Sequence, residues 1–96
     1  MFFITCFSNF ESEYIDNYRT FGFFSGFDTC IKALNENWYD MNEASYYTYA
    51  VIESIPEGIH SHAKQIAWFC WDNERKGFYE TEKPDWAGRW CNFALG

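Results

Sequence analysis

The chain has 96 residues, of which 48% are hydrophobic and 24% aromatic, and its 14 acidic and 7 basic side chains give a formal charge of −7. This length allows one domain with one core, and the aromatic content excludes a disordered chain. The acidic balance disfavours direct nucleic-acid or membrane binding and favours a basic protein partner, although it is also typical of a charge that only keeps a small protein soluble.

Alternation of apolar side chains predicts a series of strands interrupted by one helix. The predicted strands cover 1–7, 19–24, 46–52, 65–72 and 78–82, with a short last strand at 91–95. The strand that begins at Tyr46 is apolar on both faces, with Tyr47, Tyr49 and Val51 expected on one side, which is typical of a central strand. Gly22, inside the second strand, is expected either to form a bulge or to leave room for an aromatic ring or a ligand.

The helix is predicted from a capping pattern followed by a helical repeat. Ser25 precedes Asp28 by three residues, which favours a helix N-terminus at Ser25. Asn37 is expected to end the helix in the left-handed conformation. The apolar face of the helix then comprises Phe27, Cys30, Ile31, Leu34 and Trp38.

Together these elements predict a single α+β domain over 1–96. One helix packs on one face of a mixed, mostly antiparallel sheet of about five to six strands, in the order ββαβββ. The sequence offers no second helix for the other face. We therefore expect that face to be covered by curling of the sheet, by a second copy in a homodimer, or by a binding partner.

The cysteines and the N-terminus bear on the compartment. No C-x-x-C pair or zinc-knuckle spacing occurs, so we expect four free, mostly buried thiols. The N-terminal segment lacks a charged leader, and no apolar run reaches the length of a membrane span, so we expect a cytoplasmic protein. The cysteines are Cys6, Cys30, Cys70 and Cys91.

Signals for catalysis or metal binding are sparse. His60 and His62 could contribute to a metal site, but two histidines on a loop do not make one. The carboxylate pairs Asp40 with Glu43 and Glu80 with Glu82 have no accompanying nucleophile or phosphate-loop motif. We therefore expect a protein that is not an enzyme and has no cofactor or metal.

Arginines beside aromatic rings suggest a second type of site. Arg19 and Arg89 could hold a phosphate while a nearby ring stacks on a base, or they could be ordinary salt-bridged arginines. The predicted site for a flat anionic ligand comprises Arg19, Tyr47, Tyr49, Trp68 and Arg89.

Five sequence segments resemble a family of small uncharacterised proteins from Firmicutes and from their phages and mobile elements. The segments are RTFG (19–22), ENWYDMNE (36–43), YYTYAVIESIPEGIH (46–60), WFCWDNERKGFYETEKP (68–84) and NFALG (92–96). The resemblance implies no catalytic residues. It does imply a setting in which small acidic proteins often inhibit host defence, either by occupying a nucleic-acid groove as anti-CRISPR proteins do or by sequestering a nucleotide signal.

Two functional hypotheses follow. In the first, the chain blocks a basic, nucleic-acid-binding surface of a host defence protein. Its acidic contact is then formed by Glu11, Glu13, Asp16, Glu80 and Glu82. In the alternative, it is a sponge that binds a nucleotide second messenger through the arginine and aromatic residues named above.

Overall fold

The computed structural model describes residues 1–8, 18–44, 46–56, 63–87 and 93–94. The elements are β1 (Phe2–Ser8), β2 (Tyr18–Phe24), α1 (Phe27–Asn35), β3 (Tyr47–Ser54), β4 (Lys64–Asp72) and β5 (Gly77–Thr81), with 3-10 turns at Trp38–Asp40 and Asp85–Ala87. The predicted α+β domain with one helix is confirmed.

The five strands form one open sheet in the order β2-β1-β3-β4-β5, in which every neighbouring pair is antiparallel. The predicted central strand is confirmed, since β3 pairs with β1 on one side and with β4 on the other. Val51 and Ile52 are both fully buried on β3, although adjacent strand residues point to opposite faces. The sheet therefore buries apolar side chains on both of its faces.

On one face, α1 packs across the sheet through Cys30, Ala33 and Leu34. Close contact with β5 depends on Gly77, because a Cβ atom there would collide with the backbone carbonyl of Asn35. Residues of the sheet complete the core between α1 and the sheet. They include Ile4, Cys6, Ala50, Ile52, Phe69 and Phe78.

Both ends of α1 can be compared with the sequence prediction. The predicted cap at Ser25 is wrong by one residue: Gly26 takes the extended cap conformation (φ −113°, ψ 133°), and no side chain caps the helix. Asp28 still lies in the first turn, where its charge is favourable. Asn37 has the predicted left-handed conformation, with φ 51°.

The opposite face is covered by residues from near the C-terminus, a cover that differs from the three expected ones: curling of the sheet, a second copy or a binding partner. Phe7, Val51 and Trp68 form a second core there with Ala87 and Phe93, and Trp86 packs against it. Most of the predicted last strand, 91–95, lies outside the described residues, and Phe93 and Ala94 lie in a turn.

Glu53 anchors this cover. Its side chain lies at the sheet face with 0% exposure, and its two carboxylate oxygens accept the backbone N–H groups of Phe93 and Ala94, each at 3.0 Å. Two backbone donors of the covering segment are thereby satisfied by a residue 40 and 41 positions away in the chain.

Replacing Glu53 with Gln should lower the free energy of unfolding by about 1–3 kcal/mol, because the amide presents one acceptor and one donor where two acceptors are needed. Urea denaturation measures the loss, and hydrogen exchange should show faster exchange of the Phe93 and Ala94 amides. The control is Glu82→Gln, an exposed site where a change within about 0.5 kcal/mol is expected. Equal stabilities of the two variants would contradict the anchoring role.

Candidate protein-interaction site

The acidic residues predicted to contact a partner are only partly described. Glu11, Glu13 and Asp16 lie outside the described residues. Glu80 lies on β5 and Glu82 just beyond it, and both are exposed at an edge of the sheet. Within the described part of the chain, neither forms an ion pair.

The residues predicted to bind a nucleotide do not converge on one pocket. Tyr47 belongs to the core under the helix, whereas Tyr49 and Trp68 lie on the opposite face, where both pack against Trp86. Arg89 lies outside the described residues.

A register shift in the pairing of β3 with β1 explains why the alternation of side chains predicted from the sequence is wrong for Tyr47 and Tyr49. Ser8 pairs with Tyr47 and Phe7 with Tyr49, so Thr48 is the extra residue of a bulge. Such a bulge changes the face on which a side chain lies. Tyr47 and Tyr49 therefore point to opposite sides of the sheet, although the sequence pattern placed them on the same side.

Arg19 is engaged within the chain. Its Nη1 atom lies 3.2 Å from Oε2 of Glu43, and its guanidinium group lies over the Phe21 ring, 4.9 Å from the ring centre. This is the salt-bridged, ring-stacked arginine that the sequence left as one alternative. Because the pair is largely exposed, it contributes little to stability, on the order of 0–1 kcal/mol.

The connection between α1 and β3 has an unusual backbone. In the 37–44 loop, five of eight residues have positive φ: Asn37, Tyr39, Asp40, Glu43 and Ala44. Residues other than glycine, asparagine and aspartate are strained in this conformation, by about 1–2 kcal/mol per residue. Such strain persists only where surrounding contacts hold the backbone in place.

Hydrogen bonds within the loop supply that constraint. Asn37 Nδ2 donates to Asn42 Oδ1, and the Asn42 backbone N–H donates to Asn37 Oδ1, each at 3.0 Å. The backbone N–H of Tyr47 donates to the Asn42 carbonyl at 2.9 Å, which ties the loop to β3. Asn42 and Met41 are buried, so the loop rests on the core.

Tyr39 projects from this hydrogen-bonded loop into solvent and is 99% exposed. Acidic residues flank it in the chain. Asp40 is its neighbour in the chain, Glu36 accepts the indole N–H of Trp38 at 3.1 Å, and Glu43 holds Arg19. A bare aromatic ring among carboxylates is the composition expected of a contact for a basic protein surface.

Beside Tyr39 lies an apolar cleft of about 130 Å³, which we call the aromatic cleft. It lies between β2, the core under the helix and the 37–44 loop. Its lining comprises Ile4, Phe21, Gly22, Phe24, Ala33, Trp38, Tyr39 and Met41.

Only partial signals in the sequence point to this surface. The flanking asparagines and Gly22 were visible, but left-handed backbone at Tyr39 has no residue-type signature, because tyrosine rarely adopts it. A pair of amide residues five positions apart around an aromatic residue is the one pattern that could have pointed to this loop.

Among the predicted catalytic and metal-binding candidates, Asp40 and Glu43 form contacts within the chain, whereas Glu80 and Glu82 are exposed at the edge of the sheet. Asp40 Oδ1 accepts from Asn37 Nδ2 at 3.4 Å, and Glu43 pairs with Arg19. His60 and His62 lie outside the described residues. In the part of the chain that is described, no three histidine, cysteine, aspartate or glutamate side chains are placed to hold a metal ion.

The described thiols are free, as expected. Burial raises the pKa of Cys6, with a smaller contribution from the charge of Glu43, and burial raises the pKa of Cys30 to about 11. Burial and then the charge of Asp72 raise the pKa of Cys70. Thiols with raised pKa values are poor nucleophiles near neutral pH. Cys91 lies outside the described residues.

No family model, curated protein or solved structure matches this chain. The resemblance to the Firmicutes and phage family therefore stays a prediction. None of the helices in the described ranges is both long and apolar enough to cross a membrane.

At about pH 8, native protein treated with iodoacetamide should be alkylated at Cys6 and Cys30 far more slowly than the same protein in urea, because the folded thiols stay protonated and buried. Mass spectrometry of peptides reports each site. Rapid alkylation of either thiol in the native protein would contradict the assignment of these thiols as buried and protonated.

Since folding raises the pKa of Cys30 from 9.0 to about 11, the folded state should also lose stability as the pH rises through that range.

Proposed function

We propose that this chain is a non-catalytic binding protein that docks onto a basic surface of another protein. The proposal rests on the exposure of Tyr39 at the surface of the 37–44 loop. Its ring is 99% exposed, and its backbone is held in a strained conformation by a hydrogen-bonded loop. Aromatic side chains have few rotatable bonds and therefore lose little entropy on binding, so on an ordered backbone they are typical anchors of protein interfaces.

The charge of the chain defines the chemistry of the partner. A net charge of −7 accelerates association with a basic surface and repels nucleic acid. The carboxylates around Tyr39 lie near β2, and Glu80 and Glu82 lie at β5, on the opposite edge of the sheet. A broad basic groove could contact both acidic regions.

The resemblance noted above favours one class of partner. In proteins of phages and mobile elements, a small acidic domain of this kind would occupy the nucleic-acid groove of a host defence protein and so act in counter-defence. The nucleotide-sponge alternative has no comparable support, because the described aromatic residues proposed for it lie on two faces of the sheet and Arg19 is paired with Glu43.

The test is expression of the chain in a Firmicutes host whose CRISPR system targets a phage, with plaques counted on that host and on one without the system. The wild-type chain should restore plaques only where the system is active. Tyr39→Asn should reduce this rescue at least about tenfold, since an aromatic anchor contributes about 2 kcal/mol or more.

The same substitution should raise the free energy of unfolding by up to about 1 kcal/mol, because asparagine tolerates positive φ better than tyrosine does. Tyr39→Phe, which keeps the ring, is the matched control and should retain the rescue. Full rescue by Tyr39→Asn would show that the exposed ring is not the anchor.

Charge reversal tests the acidic contact at the other sheet edge. The double variant Glu80→Lys with Glu82→Lys should weaken binding to the purified defence effector at least about tenfold and flatten its dependence on salt, because two attractive charges become repulsive. Lys76→Glu is the opposite change on the nearby turn and should not weaken binding. Affinity of the double variant equal to that of the wild type would remove these residues from the interface.

A further inference from the structure

Gly22 occupies the interior of β2, where glycine needs a reason. Glycine weakens a strand because it adds backbone entropy to the unfolded chain and offers no side chain to pack. Two structural reasons commonly require glycine: too little space for a Cβ atom and a left-handed backbone. A Cβ atom at Gly22 would meet no heavy atom within 4 Å, and its φ lies outside the left-handed region. One of the two expectations for Gly22 is met, because a bulge interrupts the pairing of β1 with β2 beside it, between the pairs Ile4–Gly22 and Thr5–Thr20. Even so, neither crowding nor a left-handed backbone requires glycine at this position, in contrast to Gly77.

Because Gly22 has no side chain, space remains in the aromatic cleft. Gly22 lies in the wall of this cleft, whose volume is about 130 Å³ and whose other lining residues are apolar or aromatic. An apolar cavity of roughly 150 Å³ is enough to hold benzene. The cleft can therefore accept one side chain of the size of leucine or phenylalanine.

The backbone beside this space is at the edge of the sheet. β2 is the outermost strand on its side, and among the described residues its outer edge pairs with no other strand. An exposed edge offers unpaired N–H and C=O groups to an added strand. Directly opposed residues in paired strands place their side chains on the same face. A residue added opposite Gly22 would thus direct its side chain to the face on which the cleft opens.

Charge around the cleft selects the occupant. Glu36 and Asp40 are exposed carboxylates bonded to or next to lining residues, and Glu43 lies on the same loop as Asp40. The described cations near them in the chain are Lys32, which adjoins Ala33, and Arg19, which is paired with Glu43. The surroundings are therefore net negative and complement a basic segment. A second copy of this chain would bring the same carboxylates together, and its charge of −7 opposes self-association.

We propose that the aromatic cleft receives one leucine- or phenylalanine-sized side chain from an extended basic segment of the partner, which adds as a strand along the outer edge of β2. This rests on the proposed function, because it assigns the partner contact that lies beside Tyr39. Gly22 is then a specificity-determining residue that keeps the cleft open.

The probe is a short synthetic peptide of alternating lysine and threonine with one central leucine. Titration into isotope-labelled protein, followed by NMR, should shift the amides of β2 and the indole N–H of Trp38. Replacing the central leucine with alanine should weaken binding about tenfold, as expected for loss of a buried leucine side chain. A peptide with glutamate in place of lysine should not bind.

The decisive variant is Gly22→Val, which fills the cleft at a position where a Cβ atom meets nothing and where valine suits a strand. It should keep or raise the melting temperature and abolish the preference for the leucine peptide. Thr81→Val, an exposed site on β5 at the other edge, is the matched control and should bind like the wild type.

Three results would overturn the inference: an unchanged leucine preference in Gly22→Val, peptide-induced shifts confined to β5, or a dimer by light scattering that is lost in Gly22→Val, which would assign the cleft to a second copy. Rescue of plaques by Gly22→Val but not by Tyr39→Asn would reject the cleft contact while leaving the proposed function intact. Peptide binding that depends on Gly22 in a chain that rescues no plaques would support the cleft and reject counter-defence.

Discussion

The sheet must be covered on both faces, because its central strand β3 is apolar on both. Ala50 and Ile52 are buried under the helix, while Val51 and Glu53 are buried on the other side. One helix can cover one face only. The second cover comes from near the C-terminus, and it depends on a polar contact as well as on apolar packing. Glu53 binds two backbone N–H groups of that segment, which would otherwise be buried without acceptors.

The shortness of the helix leads to the candidate site. α1 has nine residues and contacts β5, β1 and β2, but it leaves part of the face near β2 to the 37–44 loop. Met41 from this loop completes the core, and Trp38 packs its ring against Phe24 with 6.0 Å between ring centres. A loop fills such a region less completely than a helix would. The aromatic cleft is the space that remains between them.

Local features of this fold could be predicted from the sequence, whereas features that depend on pairing could not. Each predicted strand over 1–82 lies within about two residues of an observed one, since alternation is a property of a few neighbouring residues. The left-handed Asn37 was predictable for the same reason. The opposite orientations of Tyr47 and Tyr49 depend on a bulge set by pairing with Phe7 and Ser8. The role of Glu53 depends on residues about 40 positions away, which no local pattern reveals.

The 37–44 loop shows why strain and exposure together are informative where either alone would not be. Surface rings are common in soluble proteins, and single residues with positive φ occur in many turns. Here the ring with 99% exposure is also on a strained residue, and the loop that carries it is fixed by reciprocal amide hydrogen bonds and a buried asparagine. The Tyr39 side chain itself contributes little packing, because it contacts so little of the rest of the protein, although its neighbours Trp38 and Met41 pack on the core. A strained residue whose ring adds little to packing is what the proposed contact with another molecule would explain.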